Sequence, residues 1–160
     1  MNPGAALPPL PVRTLVGLCI LNHVALSGAR LALVEQGLHL GVHALLLGLM
    51  FAPFALASAL GALPLGRWVD RIGARRPALG GMALTTGALA AAAQWPTAPV
   101  LAAAAGAIGL GYTASLIALQ SELARGRDEA TRRAGFAAFA TGTAASSGFG
   151  PFLAGQLMSR

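Results

Sequence analysis

The chain has 160 residues, of which 56% are hydrophobic and only 10% are charged, and its formal net charge is +6. About a quarter of the residues of a water-soluble domain are charged, so this composition excludes a soluble globular protein and predicts apolar segments that contact lipid. Cys19 is the single cysteine, which excludes a disulfide-linked scaffold. The positive charge does not indicate nucleic-acid binding, because it is confined to the breaks between apolar runs.

Five apolar runs are long enough, or nearly so, to cross a bilayer as helices. A spanning helix needs about 20 apolar residues, and long apolar runs in lipid are helical because their backbone groups must bond within their own segment. The sequence therefore predicts an all-α membrane protein, a polytopic helical bundle that forms a single transmembrane domain over residues 1–160. The predicted spans are residues 15–34, 42–65, 77–94, 99–119 and 134–158.

The arginines predict the direction of these spans. All eleven basic residues are arginines, which together with the abundance of Ala and Gly favours a bacterial source. Cytoplasmic loops are enriched in basic residues, and nine of the eleven fall on one side of the predicted spans: Arg13, Arg67, Arg71, Arg75, Arg76, Arg125, Arg127, Arg132 and Arg133. We therefore expect a multi-pass protein of the bacterial inner membrane with its N-terminus in the cytoplasm.

The first span carries the main candidates for a substrate or coupling site. His23, Ser27 and Arg30 share one helix face at separations of four and three residues, and Asn22 is adjacent. An intramembrane charge costs at least about 2.5 kcal/mol, so Arg30 is predicted either to face a cavity or partner, or to extend to the outer interface. A cleaved signal peptide is the alternative interpretation of this run, since a basic residue precedes it and small residues follow its apolar part.

Much of the charge lies in one short segment between the second and third spans. The segment GRWVDRIGARRP, residues 66–77, contains four arginines and one aspartate. Gly73 is predicted to take a positive φ in a tight turn, and Gly66 to let a neighbouring helix approach closely. Asp70 is predicted to pair with arginines or to lie against a helix N-terminus. Arginines are expected in any short cytoplasmic loop, whereas this aspartate and this glycine need a further explanation.

The segment resembles the signature of the major facilitator superfamily, G-x-x-x-D-[RK]-x-G-x-[RK]-[RK], which joins the second and third helices of that family in the cytoplasm. All six defining positions match: Gly66, Asp70, Arg71, Gly73, Arg75 and Arg76. The resemblance implies a transporter with twelve helices in two related halves, of which this chain supplies about the first five. It also implies that the loop is a latch of the cytoplasmic side, with Glu122 as a candidate partner. A surface pair with Arg125 is the alternative for Glu122.

The fourth span contains no charged residue, whereas proton-coupled antiporters of this family usually carry an arginine there. Ala103, Ala107, Gly111 and Ser115 form a row of small residues that predicts close packing with another helix. Tyr112 lies beside this row and is a candidate to line the same cavity as the polar face of the first span.

The fifth span contains SSGFGPFLAG, residues 146–155, which resembles the fifth-helix motif G-x8-G-x3-G-P-x-x-G-G of the family's antiporters. Gly150, Pro151 and Gly155 match the motif, and Ser146 replaces a glycine with another small residue. The resemblance implies export of drugs or metabolites by antiport. Ordinary close packing of small residues is the alternative interpretation.

Together these patterns predict a secondary active transporter of small molecules, of the efflux or antiport kind, that works by alternating access with the proton as candidate coupling ion. The alternative is a truncated, non-transporting membrane protein or a packing partner of a larger permease. The expected partners are the lipid bilayer, a small-molecule substrate, and either a missing C-terminal half or another membrane protein, with no nucleic acid. We expect no enzyme activity, catalytic residue, cofactor or metal site, because no cluster of side chains has the spacing that such chemistry needs.

Overall fold

Five helices make up the part of the chain that a computed structural model describes, residues 10–125 and 128–158. They are α1 (Val12–His39), α2 (Ala44–Ile72), α3 (Arg75–Gln94), α4 (Ala98–Ala124) and α5 (Glu129–Met158). No strand occurs within these two described ranges, and the predicted all-α class is confirmed. Each helix covers nearly all of one predicted span, and most continue well beyond it.

The largest difference from the predicted spans lies at the end of α2. The second span was predicted to end at Leu65, but the helix continues to Ile72. The charged segment is therefore helical except for the short turn at Gly73 and Ala74 that separates α2 from α3. Hydrophobicity marks the part of a helix that lies in hydrocarbon, whereas the helix itself ends where the backbone conformation changes.

Glycines with positive φ follow both α1 and α2. After α1, Gly41 has a φ of 69°, and the N–H of Val42 donates to the carbonyl of Gly37 at 3.1 Å, as in a Schellman motif. After α2, Gly73 has a φ of 80°, and its N–H donates to the carbonyl of Val69 at 2.9 Å. Glycine takes such angles without steric cost, so the positive φ predicted at Gly73 is confirmed.

Helix α4 is the centre of the bundle. It packs extensively against α2 and α3 and also against α1, whereas α1, α2 and α3 contact one another at only a few points. Helix α5 packs chiefly against α1. Buried apolar side chains mark these contacts: Leu33, Ala92 and Ile108 join α1, α3 and α4, and Leu15 and Leu123 join α1 and α4. Helices α1, α2 and α3 therefore assemble around α4, and α5 joins the bundle through α1.

Small residues bring α3 and α4 close together. A Cβ placed on Gly111 would lie only 2.6 Å from the carbonyl oxygen of Gly81, and the buried Ser115 donates its hydroxyl to the carbonyl of Ala78 at 3.1 Å. On the α2 side, Gly109 meets the backbone of α2 equally closely. The predicted row of small residues at Gly111 and Ser115 is therefore a packing surface for α3.

Within the described ranges, helices α1, α2 and α4 are long and apolar enough to cross a membrane, by length and composition. Helices α3 and α5 contain many alanines, glycines and threonines, which contribute less hydropathy than leucine or isoleucine. The predicted crossings by α3 and α5 therefore stay a prediction.

Candidate functional site

A polar cluster joins three helices near the middle of the bundle. Nδ1 of His23 in α1 is 2.9 Å from the hydroxyl oxygen of Tyr112 in α4. Nε2 of the same imidazole is 3.2 Å from Oγ of Ser147 in α5. The rings of His23 and Tyr112 are tilted, with their centroids 5.9 Å apart. We call these three side chains the His23 cluster.

The hydrogen bonds of the His23 cluster fit a neutral imidazole with its proton on Nε2. Oγ of Ser147 is 3.0 Å from the carbonyl of Thr143, and because a carbonyl only accepts, the serine hydroxyl donates to it. The serine oxygen then accepts from Nε2–H of His23, which leaves Nδ1 to accept from the hydroxyl of Tyr112. A neutral His23 protonated on Nε2 therefore satisfies every bond of the cluster.

The other polar residues predicted on the face of α1 lie in different surroundings. The guanidinium of Arg30 lies over the ring of Phe54 in α2, 5.1 Å from its centroid, a favourable cation–π geometry. Ser27 is half-buried. The amide nitrogen of Asn22 is buried and has no hydrogen-bond partner among the described residues. The structure thus brings Tyr112 to His23, whereas Arg30 contacts α2.

The charged signature residues at the α2–α3 turn are exposed. Asp70, Arg71, Arg75 and Arg76 all have exposed side chains, and the ion pairs of the described chain involve none of them. Glu122, at the end of α4, is half-buried and also lies in no described ion pair, either with these arginines or with Arg125. The latch and its partner therefore stay a prediction.

The close helix approach predicted at Gly66 is wrong for this structure. A Cβ placed there would meet no atom within 4 Å. The residues that pack at this end of α2 are Val69, which is 1% exposed, and the following Ala74, and both contact Ala118 in α4. The buried face of α2 is centred on Val69, and Gly66 lies away from the contact with α4.

The fifth-helix motif lies within the continuous helix α5. Ser146 is buried and donates its hydroxyl to the carbonyl of Gly142 at 2.6 Å, and Gly142 lies directly against Ile20 of α1. Gly155 faces open space, and the surroundings of Gly150 and Pro151 lie outside the described part. The turn of α5 just before the motif therefore packs against α1. The sequence did not predict the neighbouring Ser147, which belongs to the His23 cluster.

The acidic residues at the start of α5 are bound locally. Oδ2 of Asp128 accepts from the hydroxyl of Thr131 at 2.6 Å, and Oδ1 accepts from the backbone N–H of Thr131 at 2.9 Å. These bonds hold the pKa of the Asp128 carboxyl below its usual value, because they favour its charged form. Glu129 forms an ion pair with Arg133 one turn later. Both acids are therefore engaged within their own helix start.

The His23 cluster is suited to hold and exchange a proton. An imidazole changes charge closest to neutral pH of all side chains, and His23 is held by donors and acceptors on two other helices. The described residues contain no group of three His, Cys, Asp or Glu side chains arranged to bind a metal ion.

Comparison with known proteins identifies the family of the chain. The family model described as Major Facilitator Superfamily matches residues 15–160, which include α2 to α5 and all but the first three residues of α1. Neither the curated proteins nor the solved structures gave a match. The matched region includes the complete signature at the α2–α3 turn and the His23 cluster. The chain is a membrane protein that belongs to the major facilitator superfamily, a family of transporters, as the signature indicates.

Proposed function

We infer that this protein takes part in export of small molecules in exchange for protons, by alternating access, in a bacterial inner membrane with its N-terminus in the cytoplasm. Three observations support the proposal: the family membership, the resemblance of residues 146–155 to the fifth-helix motif of antiporters, and the His23 cluster. The cluster carries most weight, because it links a titratable group to the contact between helices. The full transport unit includes further helices, from the same chain or from another membrane protein.

Protonation of His23 changes the hydrogen bond between α1 and α4. In the neutral form, the Tyr112 hydroxyl donates to Nδ1. A proton added at Nδ1 turns this nitrogen into a donor, so the tyrosine hydroxyl must rotate and donate to another acceptor. Nε2–H continues to donate to Ser147. The Tyr112 oxygen then accepts from Nδ1–H. Protonation therefore reverses the direction of the hydrogen bond between α1 and α4, while the bond between α1 and α5 keeps its direction.

The groups near His23 offer a proton bound there no acidic partner among the described residues. On α1, Cys19 lies one turn before His23 and is buried, and Arg30 lies about 10 Å further along the helix at 1.5 Å per residue. On α4 and α5, the cluster presents only hydroxyl groups to the imidazole. No described carboxylate forms an ion pair with His23, so a proton bound there is released without breaking a salt bridge.

We expect His23→Gln to abolish proton-coupled transport and to preserve solute exchange. Glutamine keeps a donor and an acceptor at this position but does not titrate. The measurement uses everted membrane vesicles from cells that express the native gene. Acridine orange follows proton release while a panel of labelled solutes is added, and counterflow of the responding solute is measured without a proton gradient.

The matched control for this variant is His39→Gln. His39 is the last residue of α1, and its side chain is 71% exposed. The His39→Gln variant should transport and exchange solute like the parent protein. Proton-coupled transport that persists in His23→Gln would contradict the role of His23. The absence of solute movement in the parent itself would favour the alternative, a non-transporting partner of a larger permease.

We expect Asp70→Asn to reduce transport severely while the amount of protein in the membrane stays near that of the parent. Asparagine keeps the shape of the side chain and removes the charge that the latch needs. The exposed position of Asp70 predicts little loss of stability. Transport is measured as above, and the amount of protein is measured by immunoblot. A Glu122→Gln variant tests the predicted partner of the latch in the same way. An Asp70→Asn variant that transports like the parent would remove the latch from the mechanism.

A further inference from the structure

The α2–α3 turn carries more positive charge than its protein surroundings neutralise. Arg67, Arg71, Arg75 and Arg76 are all exposed and take part in no ion pair of the described chain. Asp70 is the only acid between residues 66 and 77, so this segment has four positive charges against one negative charge. The acids at the start of α5 are bound within their own helix, as described above. The segment therefore attracts negative groups from its surroundings.

The start of α3 adds a further attraction for a negative group. The N-cap residue Ala74 provides no side-chain hydrogen bond, and the first turn of α3 contains no acidic residue. The N-terminus of a helix carries a partial positive charge and unpaired N–H groups. An anion beside Arg75 and Arg76 would interact with this helix end as well as with the guanidinium groups.

A stripe of exposed leucines leads along α2 to the same arginines. Leu56, Leu60 and Leu63 are 59%, 69% and 75% exposed, and Arg67 and Arg71 continue the stripe at separations of four residues. These spacings keep all five side chains on one helix face. The distance from Leu56 to Arg67 is about 16 Å at 1.5 Å per residue, which is close to half of the hydrocarbon thickness of about 30 Å.

We propose that this face of α2 and the α2–α3 turn bind an anionic phospholipid. The phosphate contacts Arg67 and Arg71 beside the start of α3, and the acyl chains lie along Leu56, Leu60 and Leu63. Guanidinium groups bind phosphate oxygens through paired hydrogen bonds, and basic residues at a membrane surface attract anionic lipids. The excess of three positive charges favours an anionic over a zwitterionic headgroup. This site does not depend on the transport reaction proposed above.

Trp68 provides a local probe for this lipid. It follows Arg67 directly and is 43% exposed, whereas the second tryptophan, Trp95, follows the opposite end of α3. A Trp95→Phe variant leaves Trp68 as the only source of tryptophan fluorescence. The purified chain is placed in phosphatidylcholine vesicles that contain increasing fractions of brominated phosphatidylglycerol or, separately, brominated phosphatidylcholine, and quenching is measured.

We expect brominated phosphatidylglycerol to quench Trp68 at a several-fold lower mole fraction than brominated phosphatidylcholine. A basic residue at the membrane surface contributes about fivefold to the affinity for anionic lipid. Arg67→Gln combined with Arg71→Gln should therefore remove most of this preference. The control variant combines Arg125→Gln with Arg132→Gln and removes the same amount of charge at another place. Both side chains are exposed and lie in no described ion pair. This variant should change the lipid preference less than twofold.

Three results would overturn the proposal. The first is equal quenching of Trp68 by the two brominated lipids. The second is an equal loss of preference in the two double variants, since that would reflect surface charge alone. The third is that neither brominated lipid quenches Trp68, although both quench Trp95 in a Trp68→Phe variant. Protein would then cover the leucine stripe. Circular dichroism of each variant establishes that the helices are intact, and added inorganic phosphate distinguishes a free anion from a lipid headgroup.

Discussion

Gly81→Ala is expected to prevent close packing of α3 on α4 and to destabilise the folded bundle strongly. A Cβ at this position would lie 2.9 Å from the backbone nitrogen of Ser115 and still closer to the carbonyl oxygen of Gly111. Backbone atoms cannot rotate away as a side chain does, so the two helices must separate. That separation also removes the hydrogen bond from Ser115 to the carbonyl of Ala78. Overpacking typically costs about 1–3 kcal/mol, and more where backbone is displaced.

The adjacent residue provides the control for this prediction. A Cβ at Gly80 would meet no atom within 4 Å, and alanine is favoured over glycine in a helix by about 1 kcal/mol. Gly80→Ala should therefore be neutral or stabilising, opposite in sign to Gly81→Ala. The measurement is the fraction of monodisperse protein after a series of heating steps in detergent. Equal heat resistance of the two variants would contradict the packing of α3 on α4.

Gly73→Val is expected to reduce the amount of folded protein, because it strains the turn between α2 and α3. Gly73 has φ 80° and ψ 167°, a combination that is essentially restricted to glycine and costs other residues about 1–3 kcal/mol. A β-branched side chain is among the least tolerant of positive φ. The same heating assay and the amount of protein in the membrane measure this effect.

The other glycine of the signature supplies a matched substitution. Gly66→Val introduces the same side chain into the regular helix α2, at a position where a Cβ meets nothing within 4 Å. It should fold nearly as well as the parent. If Gly66→Val unfolds the protein as Gly73→Val does, the added bulk of valine and not the turn conformation explains both losses. If neither variant loses stability, the backbone of the turn differs from the one described here.

Hydrophobicity was sufficient to predict the number and order of the helices, but not their ends. The stretch from Gly66 to Ile72 contains two arginines and one aspartate and is too polar for hydrocarbon, yet it forms the last turns of α2. A helix loses nothing when such side chains reach water, so polarity alone does not mark its end. The end was predictable only through Gly73, because the signature places a glycine where the chain must reverse and a positive φ is needed.

The helical period was enough to group the polar residues of α1 but not to predict their partners. The spacing of His23, Ser27 and Arg30 gave one face, but a face of α1 is wide enough to contact several helices. His23 reaches α4 and α5, whereas Arg30 reaches Phe54 of α2. Ser147 could not be predicted, because consecutive residues differ by about 100° around a helix and the rotation of α5 depends on its packing against α1.

The central position of α4 has a consequence for biosynthesis. Helices α1, α2 and α3 leave the ribosome first, but they contact one another at only a few points. Helices α2 and α3 acquire their main packing partner when α4 is complete, and α1 acquires its own when α5 follows. About 85 residues separate the end of α1 from the end of α4, which takes roughly 4–17 s of translation at 5–20 residues per second. During this interval His23 and Arg30 enter the membrane before their final neighbours on the later helices are in place. A chain that stops within α4 would therefore leave α2 and α3 without their main packing partner.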